Sequence, residues 1–146
     1  PVYLLGNATA VWNRQISSMP DLTVTSATQS GAEAYAMAGL SANDINLVQL
    51  YDAFTINTLL FLEDLGFCKK GEGGAFVESG AIAPGGRLPV NTNGGGLSCV
   101  HPGMYGIFAL IEAVRQAVAA LPARAACALQ VLRQGQYLFL AFEFEE

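Results

Sequence analysis

The 146-residue sequence predicts an α/β fold: a mixed, mostly parallel sheet with helices on both faces, ending in a β-hairpin. Three observations point to it. Runs of β-prone apolar residues alternate with helical patterns, an order that gives parallel pairs and covering helices. The last two such runs are separated only by "QGQ", a turn in which Gly135 supplies the positive φ of a tight hairpin. The chain is 52% hydrophobic and only 13% charged, against a usual charged share of about 25%. A chain this apolar either covers its sheet on both faces or gives surface to a partner. The length suits one core, so residues 1–146 read as a single domain.

The elements follow in order. The opening "PVYLLGNATAVW" reads as one or two short strands, broken at Gly6 and Asn7. "NRQISSMPDLTVTS" is polar, contains Pro20 and reads as a loop. In "SGAEAYAMAGL", Ser30 and Glu33 have capping-box spacing and Gly39 marks the helix end. The small side chains of this helix suit close approach to a sheet. Ser41 to Asp44 suggests one helical turn, and "INLVQL" a short strand anchored by Ile45, Leu47 and Leu50. Asp52 can cap the following helix, where Phe54, Thr58, Phe61, Leu62 and Leu65 share a face and Gly66 ends the run. Tyr51 and Asp52 therefore stand where a strand's carboxyl end passes into a helix. Residues 68–96 are mostly turn, longer than an ordinary connector, with "RLPVN" as a candidate short strand. Beyond Gly103, Ile107, Leu110, Ile111, Val114 and Val118 form an amphipathic stripe, with Glu112 and Arg115 off it and Pro122 closing the helix.

Charge and cysteine usage narrow the class. The net charge is −5, and the 7 basic residues are scattered, which argues against nucleic acid as a partner. A phosphorylated ligand stays open, because loop amides and helix N-termini hold phosphates without a basic patch. No apolar run is long enough for a membrane span, and the first residues lack the basic region of a signal peptide. Cys68, Cys99 and Cys127 are odd in number, widely spaced and without a CxxC pair. Reduced thiols in a cytoplasmic compartment are expected. With one histidine and distant cysteines, no metal site is expected.

The stretch "NTNGGGLSCVHPGMYG", Asn91 to Gly106, carries the only histidine of the chain, His101. Ligands of open α/β sheets bind beyond the carboxyl ends of strands. "LYDAFT" and this loop both bring polar groups there. Glycine lets backbone amides approach a ligand, and an imidazole near a helix N-terminus tends to stay neutral. Such an imidazole can serve as a general base or donate a hydrogen bond to an oxyanion. The plainer reading makes His101 a loop or capping residue. Cys99 could be a nucleophile beside it, but the three cysteines suit buried small hydrophobes better. Tyr51 reads as a packing residue with a tethered hydroxyl or as an acid, Asp52 as a cap, and Tyr105 as either kind. "NTNGGG" lacks the lysine of a Walker motif.

Together, "DINLVQLYDAFTINTLLFLEDLGF" and "GGRLPVNTNGGGLSCVHPGMYG" resemble the C-terminal half of a thiolase, closest to the lipid-transfer or sterol-carrier type. The similarity covers about residues 25–120, with a looser match towards the start. The resemblance implies a thiolase-like C-terminal domain that acts on a coenzyme A thioester, with acyl-CoA or CoA as ligand and no bound cofactor. It implies that the nucleophilic cysteine lies in an N-terminal half outside these residues, so the chain is expected to be inactive alone and to pair with that half, as part of a homo-oligomer. His101 matches the histidine that activates the cysteine and helps form an oxyanion hole. Tyr51 stands where many thiolases carry asparagine or histidine; there its hydroxyl would contact the thioester. Asn91, Asn93, Gly94, Gly95, Gly96 and Tyr105 would shape the substrate pocket. Some relatives cleave steroid side-chain CoA thioesters by a retro-aldol route using tyrosines, and Tyr51 leans that way, whereas His101 leans towards acyl transfer. The family also carries a later glycine-rich segment with a cysteine or histidine as acid and base. "CALQVLRQGQYLFLAFEFEE" has no such loop, which also supports a non-catalytic acyl-CoA-binding or scaffold module.

Overall fold

The computed structural model describes residues 2–99, 105–119, 125–133 and 136–144. Four strands, β1 (Val2–Val11), β2 (Ile45–Leu50), β3 (Ala125–Arg133) and β4 (Gln136–Phe144), form one sheet in the order β1-β4-β3-β2. The helices are α1 (Ala27–Ala38), α2 (Thr55–Asp64), α3 (Gly73–Glu78), α4 (Gly95–Ser98) and α5 (Tyr105–Ala119), with short 3₁₀ turns at Ile16–Ser18 and Ala42–Asp44.

The expected mostly parallel sheet is corrected. Only β2 and β3 run parallel, while β3–β4 and β4–β1 are antiparallel. The connections explain this. Parallel neighbours need a crossover, and among these strands only the pair joined through α5 has one between neighbours. β3 and β4 follow each other directly, so they pair antiparallel; the turn residues 134 and 135 lie outside the described residues. β1 is one strand, not two. The expected break at Gly6 is a bulge between Leu4 and Gly6, with pairing continuing to Val11.

Alternation along β2 divides the core. Val48 and Leu50 join Ala27, Ala34, Phe61, Leu62, Leu65 and Leu88 on one side. Leu47 packs with Ala113, Val2 and Leu110 on the other. The sheet is therefore covered by α1 and α2 on one face and by α5 on the opposite one. Full burial of Phe61 and Leu62 is worth about 1.5–3 kcal/mol each. Phe54 departs from the expected helical stripe: it is the N-cap residue of α2 and is 70% exposed.

Two local expectations fall to packing. Ser30 does not open α1, because the helix already starts at Ala27 and Ser30 is wholly buried within it. The start is anchored from α2: Asp64 Oδ2 accepts hydrogen bonds from the Thr25 amide at 2.8 Å and the Thr25 hydroxyl at 2.6 Å. A capping box does occur one connection later, between Ser41 and Asp44. Gly39 ends α1 in the left-handed conformation, φ 68°.

The apolar stripe expected on α5 is also corrected. Tyr105, Ala109, Glu112 and Ala113 are buried, whereas Ile107, Phe108, Ile111 and Val118 are exposed. Two alanines one turn apart let the helix approach the sheet closely; Leu110 of the expected stripe packs beside Leu47, while Ile107, Ile111 and Val118 are left outward. Pro122, expected to close the helix, lies outside the described residues.

The small residues of α1 do lie against the sheet. A Cβ at Gly6 would overlap the Ala34 carbonyl oxygen and come within 3.1 Å of the Ala38 amide nitrogen. Both are backbone atoms that cannot rotate away. Gly6→Ala is expected to lose about 1–3 kcal/mol, read as a lower urea midpoint with unchanged slope. Gly74→Ala, in open space on α3, should hold or gain up to about 1 kcal/mol.

Candidate functional site

The site begins at the outer edge of β2. Val48 donates its N–H to the Pro89 carbonyl at 3.0 Å and accepts from the Asn91 amide at 2.9 Å. "RLPVN" is thus not a strand but a single parallel bridge, Val48 to Val90. The Asn91 side chain extends the pairing by one step, its Oδ1 accepting from the Leu50 amide at 2.7 Å. Asn91 itself has φ 53°, a left-handed conformation that asparagine tolerates better than most residues. The chain therefore turns sharply here and enters the glycine run beside the end of β2.

Each of the three glycine amides already has an acceptor. Gly94 donates to the Asn91 carbonyl at 2.8 Å, and Gly95 to Asn93 Oδ1 at 2.9 Å. The Gly96 amide donates to Asp52 Oδ1. Asp52 does not cap α2, whose N-cap is Phe54 without a side-chain bond. It is buried and crosses to the loop instead. Gly95 has φ 75°, and a Cβ there would run into the Asp52 carboxylate. No other residue type meets both conditions.

Tyr51 and Tyr105 come together over this clamp, with ring centroids 5.6 Å apart and planes at 42°. Tyr105 is fully buried, and its hydroxyl donates to Asn93 Oδ1 at 3.2 Å. Burial pushes its phenol up to about 12, against the opposing effect of the Asn93 hydrogen bond. Tyr51 is half-buried, and its phenol is raised by burial and then by the Asp52 charge. Both rings keep their protons at neutral pH and are hydrogen-bond donors there. Tyr51 also borders a cleft of about 550 Å³ walled by Trp12, Ile16, Met19 and Phe54.

A second set of polar contacts, not anticipated from sequence, ties the loop to α5. Gln49 Nε2 donates to Thr92 Oγ1 at 2.9 Å, and that hydroxyl donates to Glu112 Oε1 at 2.6 Å. The same carboxylate oxygen accepts from Gln116 at 2.8 Å. Gln49 and Glu112 are buried. The available signal was Ala109 and Ala113 flanking Glu112, which mark the sheet-facing side of the helix.

The structure thus brings together Tyr51, Asn91, Asn93, Gly94, Gly95, Gly96 and Tyr105. His101 lies outside the described residues. Cys99 ends α4 as a free, half-buried thiol, and the Cys68 thiol is raised by burial and by the Glu63 and Glu72 carboxylates. The Cys127 side chain also lies outside the described residues. Among the described residues no group of side chains suits a metal ion, and no helix is long and apolar enough to cross a membrane.

A strand-to-helix crossover clamped onto a glycine-rich loop that leads into a covering helix makes an α/β domain whose polar groups gather beyond the end of β2. The chain belongs to the thiolase C-terminal domain-like family, whose model matches residues 8–134. It is 42% identical over 118 residues to an acetyl-CoA acetyltransferase of Methanothermobacter thermautotrophicus, covering 80% of this chain and 31% of that protein. It is 46% identical over 86 residues to the 17-hydroxy-3-oxo-4-pregnene-20-carboxyl-CoA lyase of Mycobacterium tuberculosis, covering 59% of this chain and 22% of the lyase. Among solved structures, an Ltp2-ChsH2(DUF35) aldolase superposes with a TM-score of 0.78 at 32% identity, covering 96% of this chain and 39% of the aldolase chain. The chain therefore spans well under half the length of each of these relatives.

Two outcomes follow from the clamp and the buried phenol. Asp52→Ala leaves the Gly96 amide without its acceptor and should cost about 1–3 kcal/mol; hydrogen exchange should show that amide losing protection, while Asp52→Asn, which keeps an acceptor oxygen, loses less. Ultraviolet titration of the 5 tyrosines should show one phenol ionising at about 12, and Tyr105→Phe should remove it. An unfolded tyrosine titrates near 10, so between these values the unfolded chain holds fewer protons than the folded one. Tyr105's contribution is therefore present below pH 10 and is lost as pH rises, at about 1.4 kcal/mol per pH unit.

Proposed function

We propose that this chain is the C-terminal domain of a thiolase-like acyl-CoA acyltransferase or lyase of lipid or sterol metabolism, acting on a coenzyme A thioester and inactive without an N-terminal half. The observation that carries this reading is the protonated Tyr51 phenol beside a cleft, backed by Tyr105 and fixed by the Asp52–Gly96 clamp. A phenol held in this way can donate a hydrogen bond to a thioester carbonyl as negative charge develops on its oxygen. His101, which falls between α4 and α5 in the sequence, would take a proton from the nucleophile supplied by the other half or share the oxyanion. Asn93 would act on Tyr105, and the Gly94–Gly96 run would hold the loop's shape.

The tyrosine pair favours a second reading, retro-aldol cleavage of a side-chain CoA thioester, because that route needs a proton donor at the oxygen instead of a second thiol. The likeness to an aldolase and to a CoA lyase supports it. The remaining part of the protein would seat against the outward side of α5, where Ile107, Phe108 and Ile111 are exposed.

In the protein assembled with its N-terminal half, Tyr51→Phe and His101→Ala should each lower CoA-thioester turnover by about a hundredfold or more. The 146-residue chain alone should show none. Turnover by the isolated chain contradicts the reading, and full activity of both variants would assign the domain to binding or scaffolding.

A further inference from the structure

The glycine run carries a chemically labile pair. The chain has seven asparagines, and Asn93 alone is followed by glycine; no aspartate is followed by one. An Asn–Gly pair is the sequence in which a backbone amide most readily attacks the side-chain carbonyl that precedes it. Glycine has no Cβ to shield that nitrogen and has the widest backbone freedom. The fold nevertheless needs glycine at this point. Gly94 has φ 93°, and a Cβ on it would lie 2.7 Å from Ser98 Oγ. Both reacting groups are engaged elsewhere. The attacking group is the Gly94 amide, whose N–H donates to the Asn91 carbonyl at 2.8 Å. The carbon it would attack is that of the Asn93 side-chain amide. The oxygen on that carbon accepts from the Gly95 amide at 2.9 Å and from the Tyr105 hydroxyl at 3.2 Å. Tyr105 is wholly buried, and the next amide along, that of Gly96, is fixed by Asp52. Ring closure needs these bonds to be given up.

From this geometry we infer that Asn93–Gly94 is a self-modification site, held shut by the Tyr105 and Asp52 contacts and released by local opening of the loop. Once the loop opens, the Gly94 amide gives its proton to hydroxide from solvent. Its nitrogen bonds to the Asn93 side-chain carbon, the bond from that carbon to Nδ2 breaks, and ammonia leaves. Water then opens the resulting succinimide at either carbonyl and gives aspartate or isoaspartate. No oxidant or reductant takes part. The conversion runs one way. Aspartate adds a negative charge to the loop that Asp52 already clamps, and isoaspartate lengthens the backbone just ahead of the glycines whose shape the clamp sets. The domain thus accumulates a chemical record of how long its loop has stood open. This inference goes beyond the proposed reaction and does not rest on it.

The full 146-residue chain is held at mildly alkaline pH, sampled over time, and mapped peptide by peptide by mass spectrometry with an isoaspartate assay. In denaturant Asn93 should convert well ahead of the other six asparagines. In the native chain it should convert at least about tenfold more slowly, because only the locally opened population reacts. That slowing should match the hydrogen-exchange protection of the Gly95 amide, which reports the same opening and needs no variant. Tyr105→Phe and Asp52→Ala each remove a hydrogen bond from the closed loop, so conversion should speed up about five- to tenfold in each; their urea midpoints establish that they are folded. Native Asn93 converting at the denatured rate overturns the latch, as does an unchanged rate in folded Tyr105→Phe. Slowing that departs from the Gly95 protection overturns the assignment to loop opening. Aspartate formed without isoaspartate overturns the ring-closure route. None of these measurements involves a thioester, so each result stands apart from the fate of the Tyr51 and His101 chemistry.

Discussion

A buried carboxylate receiving a glycine amide from a distant loop organises this domain. Asp52 lies two residues past the end of β2, and Gly96 lies in the short helix α4, on the segment that leads towards α5. An ionised acceptor paired with a backbone N–H away from water is among the stronger hydrogen bonds a protein makes. Its geometry also dictates sequence around it. Gly95 must lack a side chain because the carboxylate occupies that space. Asn91 must turn the chain at positive φ while its side chain completes the pairing of β2. Tyr51, next to Asp52, is thereby placed against Tyr105. The clamp couples two segments that the chain would otherwise leave independent, and the phenol at the cleft depends on it.

The same loop is held a second time from the opposite face of the sheet. Gln49, Thr92 and Glu112 form a line of hydrogen bonds from β2 through the loop to α5. A buried carboxylate that accepts from both Thr92 and Gln116 is a satisfied one. The arrangement needs α5 close to the sheet, which its alanines allow. Packing and polar bonding thus ask the same thing of one helix face, and Ile107, Phe108, Ile111 and Val118 are left outward.

Much of this was legible in the residues and some was not, for physical reasons. β2, α2 and the helix end at Gly39 follow local rules: alternation, a 3.6-residue period, and one residue type suited to a left-handed turn. The spatial meeting of "LYDAFT" with the glycine run was also foreseen, through the tendency of polar groups to gather at strand ends. What Asp52 does there was not, because its partner is far along the chain and a local cap is the commoner use of such a residue. The α5 stripe misled because hydrophobic periodicity finds an apolar face without saying whether that face meets the sheet or another surface. Strand direction in the sheet likewise depends on which distant strands become neighbours, and alternation of elements alone does not set it.

The segment running alongside β2 has one more consequence. Val48 and Leu50 spend outward backbone groups on Pro89 and Asn91, so at these residues the sheet's flank is already paired and closed to an arriving strand. Unprotected flanks are where proteins recruit foreign strands and begin to aggregate. The stretch that delivers the asparagines and glycines to the cleft therefore also works as a selvedge, binding off the fabric of the sheet on that side.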